Sequence, residues 1–221
     1  MVSPVVPAII VPVLNRYDLL KRAVWSIDYP TETLILVDNG NRSGTYPWHS
    51  KPVSVYEQFV WHMPTNLGVG PSWNLGIKST PHADGWIILN SDAWFLPGQL
   101  ERFWADCRPD NIVKTSSHWS CVWIGSEVVA KIGLFSECYV PAYFEDNDFE
   151  GRAVAAGFRL VSSDAQIGHD NSSTIGSDPK LAARNSYSFD DNRRLHFQRW
   201  SEGVPSAGAW DLTRRRDLGW E

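Results

Sequence analysis

Short apolar runs alternate with helical patterns along the chain. Ala8–Val13 reads as a buried strand, and Asp18–Ile27 follows with Leu19, Leu20, Ala23, Val24 and Ile27 at helical spacing. Leu34–Val37 is a second buried strand ending at Asp38, and 38–44 is a loop by its turn residues. Val53–Val60 reads as a third strand. The stretch NLGVGPSWNLGIKS starts as a loop and becomes helical near Ser72. Trp86–Leu89 is a fourth strand and Gln99–Cys107 a helix. Val122–Gly125 and Glu127–Ile132 read as a strand and a short helix. Asp146–Ala156 is a helix stopped by Gly157, Arg159–Val161 and Gln166–Gly168 are short strands, and Leu181–Trp200 is mostly helical.

Continuous apolar strands alternating with helices predict an α/β domain with a mainly parallel central sheet covered on both faces. With 221 residues and no interior linker, one domain is expected over 1–200, with 201–221 as a C-terminal tail.

In such sheets ligands bind beyond the carboxyl ends of the strands. Four polar clusters fall there: Asn15–Arg16, Asp38–Asn39, Asn90–Ser91–Asp92 and His169–Asp170. One Asp after a strand is usually a turn or cap residue. Four such clusters in one chain point to a site.

Composition narrows the class. At 43% apolar residues a sizeable core is affordable, and a net charge of −5 gives no basic face for nucleic acid. Arg214–Arg216 reads as a solvated tail. Cys107, Cys121 and Cys138 are odd in number and lack CxxC spacing, so they read as reduced thiols rather than a disulfide framework or zinc site. The apolar N-terminus lacks a positive n-region and is broken by Pro4, Pro7 and Pro12. It reads as neither signal peptide nor membrane span, and a soluble, cytoplasmic protein without a transmembrane segment is expected.

The chemistry of the clusters is specific. A hard cation takes carboxylate oxygens and leaves positions for phosphate, while an imidazole favours Mn²⁺. Asp92 with His169 would hold such an ion only together with a diphosphate. The alternative for His169 is a hydrogen-bonded core histidine. YFEDNDFEGR packs Glu145, Asp146, Asp148 and Glu150 together, as a capped helix start or as a general base with a raised pKa. Phosphate-loop, dinucleotide and nucleophile-elbow motifs are absent.

Taken in order, IIVPVLNRYDLLKRAVWSI, LILVDNGNRSGT, NLGVGPSWNLGIK, WIILNSDAWFLPGQLERF and IGLFSECYVPAYFEDNDFEGRAVAAGFRL resemble the family 2 glycosyltransferases of GT-A fold over nearly the whole chain. RLHFQRWSEG is similar to the family's closing K-W-G stretch. The D-x-D motif takes the N-x-D form here, as in rhamnosyltransferase-like members, and Ser136 stands for the first acid of F-D-E. The resemblance implies a metal-dependent, inverting hexosyl transfer from a UDP- or dTDP-sugar to an acceptor hydroxyl on a protein, glycan or lipid-linked sugar. Pro12, Val13, Asn15, Asp38, Asn66, Gly68, Asn90 and Ser91 would line the nucleotide-sugar pocket. Asp92 and His169 would ligate Mn²⁺ or Mg²⁺. Asp146 would be the base, with Glu145 and Asp148 positioning it or the acceptor.

Two departures bear on the diphosphate. Asn90 replaces an acid of D-x-D, which implies modest metal affinity, and Trp73 stands where many members have Arg, so a diphosphate contact is missing or supplied elsewhere; Arg193 or Arg194 could substitute or could simply cap the last helix. Trp119, Trp123, Tyr139 and Tyr143 flank the acceptor side and could stack on a sugar or pack in the core. Rival readings are a sugar-nucleotide-binding module without activity, a nucleotidyltransferase and a structural protein. The nucleotidyltransferases carry a Gly-rich loop after the first strand, where VPVLNRYD has no glycine.

Overall fold

The computed structural model describes residues 4–40, 48–116, 118–170 and 179–207. The run at 214–216, residues 41–44 of the 38–44 loop and most of the 201–221 tail lie outside them.

The first strand, β1 (Val6–Val13), is wholly apolar and is an inner strand of a seven-stranded sheet. It is followed by α1 (Tyr17–Trp25), β2 (Thr31–Asp38), β3 (Val55–His62), α2 (Val69–Ser79) and β4 (Gly85–Leu89). Next come β5 (Ala93–Phe95), α3 (Gln99–Trp104), β6 (Asn111–Thr115), β7 (His118–Gly125) and α4 (Ser126–Ile132). The chain continues through α5 (Glu145–Ala155), β8 (Arg159–Ser162), β9 (Ile167–His169) and α6 (Pro179–Ser201). The sheet order is β3-β2-β1-β4-β7-β6-β8, and β5 pairs with β9 in a separate ribbon. The sheet is parallel except for β7, which runs antiparallel to both β4 and β6.

Side-chain alternation along the strands divides the core in two. Ile9, Val11, Leu34, Leu36 and Ile87 face α1 and α3, where they meet Leu20, Val24, Leu100 and Phe103. Ile10, Ile35, Ile88 and Val122 face α2, α4 and α5, where they meet Trp73, Ile77, Val128 and Phe149. Cys107 and Cys121 are buried and free, and burial pushes both thiols up.

Several boundaries differ from the sequence reading. β3 starts at Val55 rather than Val53, because the Val55 N–H turns back onto the Pro52 carbonyl. It ends at His62, two residues past the expected Val60, because Trp61 and His62 pair with Val37 and Asp38 of β2. α3 stops at Trp104, three residues early. β5 and β6 were not anticipated, since each is too short or too polar to show a period. Trp123 and Tyr139 have no exposed surface and belong to the core, which removes them as stacking platforms for a sugar.

Candidate active site

The carboxyl ends of β1, β2 and β3 lie in one row, with Val13 beside Asp38 and Asp38 beside His62. Asp38 is fully buried. Its Oδ1 accepts the Tyr17 hydroxyl at 2.5 Å and the Gly40 N–H at 3.1 Å, while Oδ2 faces His62 Nδ1 at 2.9 Å. Pro12 and Asn15 flank this row, half-buried. Gly40 has no room for a side chain, since a Cβ would fall on the Leu14 carbonyl.

The loop from β3 into α2 is held by amide side chains. Asn39 donates to Ser72 Oγ at 2.9 Å and accepts the Leu67 N–H at 2.9 Å, and Asn66 Oδ1 accepts the Gly68 N–H at 2.9 Å. Gly68 sits at φ 91°, and a Cβ there would lie 2.7 Å from the Pro141 carbonyl oxygen. Only glycine takes that backbone so close to another chain segment. Asn74 clasps both the N–H and C=O of Phe135 and donates to Glu137 at 2.8 Å. Asn66 and Gly68 thus shape the loop. Trp73 is buried against Phe135, with ring centroids 4.8 Å apart.

At the end of β4 the chain reverses through Asn90–Ser91–Asp92–Ala93, closed by the Ala93 N–H on the Asn90 carbonyl. Ser91 and Asp92 are buried and Asn90 half-buried. The β5–β9 ribbon then sets Ala93 opposite His169. This brings His169 Nε2 to 3.3 Å from Asp92 Oδ1, and the Asp170 N–H donates to the Asp92 carbonyl at 2.9 Å. Trp94 anchors the ribbon, with the Arg22 guanidinium 3.2 Å over its ring and Gly168 leaving the space it fills.

The separation of the two donors suits adjacent ligands of one octahedral cation with bonds of about 2.1 Å. Carboxylate and imidazole together suit Mn²⁺, and Mg²⁺ less well. No third His, Cys, Asp or Glu among the described residues joins them. An ion here would complete its shell with phosphate oxygens and water.

The acids of α5 separate into distinct environments. Glu145 is buried with Oε2 unpartnered, and burial holds its carboxyl well above the ordinary range. Asp146 is half-buried, and its carboxyl is also raised, first by burial and further by Glu150. Asp148 is fully buried and points inward, bound by Ser136 Oγ at 2.8 Å, Arg152 Nε at 2.9 Å and the Tyr139 hydroxyl at 3.3 Å. A residue so enclosed orients the helix; it cannot itself touch an acceptor. Glu150 accepts from Lys114 at 2.6 Å and from the Trp119 indole at 2.9 Å.

The segment before α5 is strained. Tyr143 and Phe144 have φ of 76° and 75°, which costs a bulky residue on the order of 1–3 kcal/mol each. α6 holds them there. Buried Asn192 donates to the carbonyls of Val140, Ala142 and Tyr143 at 3.3, 2.8 and 3.3 Å. Phe144 packs between Phe189 and His196. Arg193 and Arg194 pair with Asp190 and Asp191 on the same helix. Arg16 is paired with Asp18 and also lies within electrostatic reach of Asp170 and Asp92, while Arg22 stands 3.8 Å from Asp170.

Similarity to known proteins agrees with this fold. A structure of GalNAc-T7 with UDP, GalNAc and Mn²⁺ superposes with a TM-score of 0.61 at 12% identity, over all of this chain and 55% of that one. The present chain thus spans about half the length of that enzyme chain. The catalytic domain of Drosophila β1,4-galactosyltransferase 7, solved with xylobiose, gives 0.53 at 12% identity over 74% of this chain and 70% of that one. The inositol-1-phosphate CTP transferase from T. maritima gives 0.54 at 14% identity, over 85% of this chain and 98% of that one. The fold is the GT-A glycosyltransferase fold. The sequence model described as Glycosyl transferase family 2 matches residues 8–113, from within β1 into β6, and supports that family for the chain. No curated protein matches the sequence. No helix among the described residues is long and apolar enough to cross a membrane.

Of the predicted residues, Asp92 and His169 meet after β4, and Asp146 stands half-buried in the first turn of α5. Asp38, Asn66, Gly68 and Asp148 build the frame. The sequence reading missed Tyr17, His62 and Asn192. His62 was legible in principle, as the polar residue ending the β3 pattern.

Proposed function

We propose that this protein transfers a sugar from a UDP- or dTDP-sugar to an acceptor hydroxyl with inversion at the anomeric carbon, as a cytoplasmic enzyme. The observation that carries the reading is the approach of His169 Nε2 to Asp92 Oδ1 at the carboxyl edge of the sheet. Asp92 and His169 would hold Mn²⁺ or Mg²⁺. A cation bound there would offset the charge of the departing diphosphate. Manganese complexes of GalNAc-T7 and of the Drosophila galactosyltransferase mutant, both with UDP-bearing ligands, support the choice of ion.

Asp146 is the base in this reading. A carboxylate made more basic by burial is better matched to taking a hydroxyl proton near neutral pH than an ordinary Asp. Glu145 beside it is held well above the ordinary range, first by burial and then by the Asp146 charge. The proton moves from acceptor oxygen to Asp146 as that oxygen bonds the anomeric carbon and the diphosphate leaves from the opposite face. The acceptor class is open to protein, glycan or lipid-linked sugars.

The test is calorimetric titration of UDP, dTDP and GDP, with and without Mn²⁺, into wild type and Asp92→Ala. Metal-dependent binding of UDP or dTDP that the substitution abolishes is expected. Absence of all nucleotide binding in the wild type would end the transferase reading. Binding without turnover of any donor would favour an inactive binding module. Turnover of a nucleoside triphosphate with a sugar phosphate would favour the nucleotidyltransferase.

A further inference from the structure

We infer that His62 is the residue that reads the nucleobase, its Nε2 accepting the imide N3–H of uracil or thymine. This rests on the sugar-nucleotide reading of the same edge.

The row Val13, Asp38 and His62 ends three neighbouring parallel strands at the ligand side of the sheet. Val13 and Asp38 are buried there, and Asp38 is fully enclosed. Both of its oxygens are engaged inside the protein, by the Tyr17 hydroxyl and Gly40 N–H on one side and His62 on the other. The imidazole of His62 keeps 36% of its surface exposed. In that row it is the group that can meet a ligand.

Its orientation is fixed on two sides. Nδ1 is spent on Asp38 at 2.9 Å, and Trp48 sets an edge against the ring with centroids 4.8 Å apart. Trp48 also packs edge-on to Tyr17, so the three rings and the carboxylate form one unit. Asp38 already receives two donors and takes a third from Nδ1–H. In the tautomer that donates Nδ1–H to Asp38, Nε2 is left as an acceptor. Nε2 takes no hydrogen bond among the described residues.

An acceptor held in place selects a donor. Uracil and thymine carry N3–H between two carbonyls, whereas N3 of cytosine is itself an acceptor. A polar group left facing its like discriminates far better than a missing contact does. The site is therefore set for UDP or dTDP over CDP, by roughly tenfold or more from one hydrogen bond.

Calorimetry with UDP and CDP in the presence of Mn²⁺ tests this on wild type, His62→Asn and His62→Gln. The Asn amide can reproduce Nδ1 toward Asp38 but has nothing at the Nε2 position. The Gln amide reaches the Nε2 position and can turn either edge outward. Wild type is expected to favour UDP at least tenfold. In His62→Asn the UDP/CDP ratio is expected to fall toward one with an unchanged melting temperature, and His62→Gln is expected to narrow it. An unchanged ratio in both variants, or a wild type that prefers CDP, would overturn the role of His62 while leaving the transferase reading standing. Wild type that binds no nucleotide would overturn both.

Discussion

His169 Nε2 stands 3.3 Å from Asp92 Oδ1 because the β5–β9 ribbon sets Ala93 opposite His169. The metal reading makes a stability prediction from this pair. UDP and Mn²⁺ at about 100 times their joint Kd should stabilise the protein by about 2.7 kcal/mol. For a chain of this size that raises Tm by roughly 5–10 °C. EDTA should remove the gain, and Asp92→Ala or His169→Ala should show none. Thermal melts with each component omitted check it.

Asp146 should be separable from binding. Asp146→Asn is expected to lower kcat by about 10²–10⁴-fold while UDP affinity with Mn²⁺ stays within about twofold. Because burial raises its carboxyl, the acid limb of kcat/KM in wild type should lie above the ordinary Asp value of about 3.9. Initial rates of nucleotide release across pH, paired with calorimetry, read both effects.

Glu145 should make the fold less stable as pH rises. Its folded-state pKa lies well above the unfolded value of about 4.3, so between the two the folded chain binds more protons. Stability is then full below the unfolded pKa and declines as pH climbs toward the folded one. Asp146 acts in the same direction. Glu145→Gln removes the larger burial cost. Its Tm should exceed wild type at pH 8 by a few degrees and match it near pH 4. Melts across that range show whether the gap opens with pH.

Asn192 holds the strained Tyr143–Phe144 turn through three carbonyls. Asn192→Ala leaves those acceptors unpaired in a buried place, at a cost of about 2 kcal/mol, or roughly 4–8 °C in Tm. As Asp146 follows that turn, kcat should fall more than nucleotide affinity. Melting curves and calorimetry on the variant decide between this and a uniform loss.

The central strands and the paired faces of the helices were legible in the sequence. Five buried residues in a row at Gly85–Leu89, or apolar spacing along α1, leave a chain few ways to hide them. The abrupt polar endings of β2 and β4 marked Asp38 and Asp92 for the same reason, since a carboxylate closing a buried strand needs a partner. What the pattern could not carry was who those partners are. β5, β6 and the antiparallel course of β7 depend on pairing between distant segments. Only that pairing brings His169 to Asp92. Asp38 was legible as a functional carboxylate, yet in the folded chain Tyr17, Gly40 and His62 enclose it, and exposure passes to the imidazole. Likewise Asp148 turns inward to Arg152 while Asp146, two residues away, stays half-buried. Helix phase and the packing of α6 separate those two acids. Local sequence sets which residues seek burial, and long-range contacts decide which polar groups remain to do chemistry.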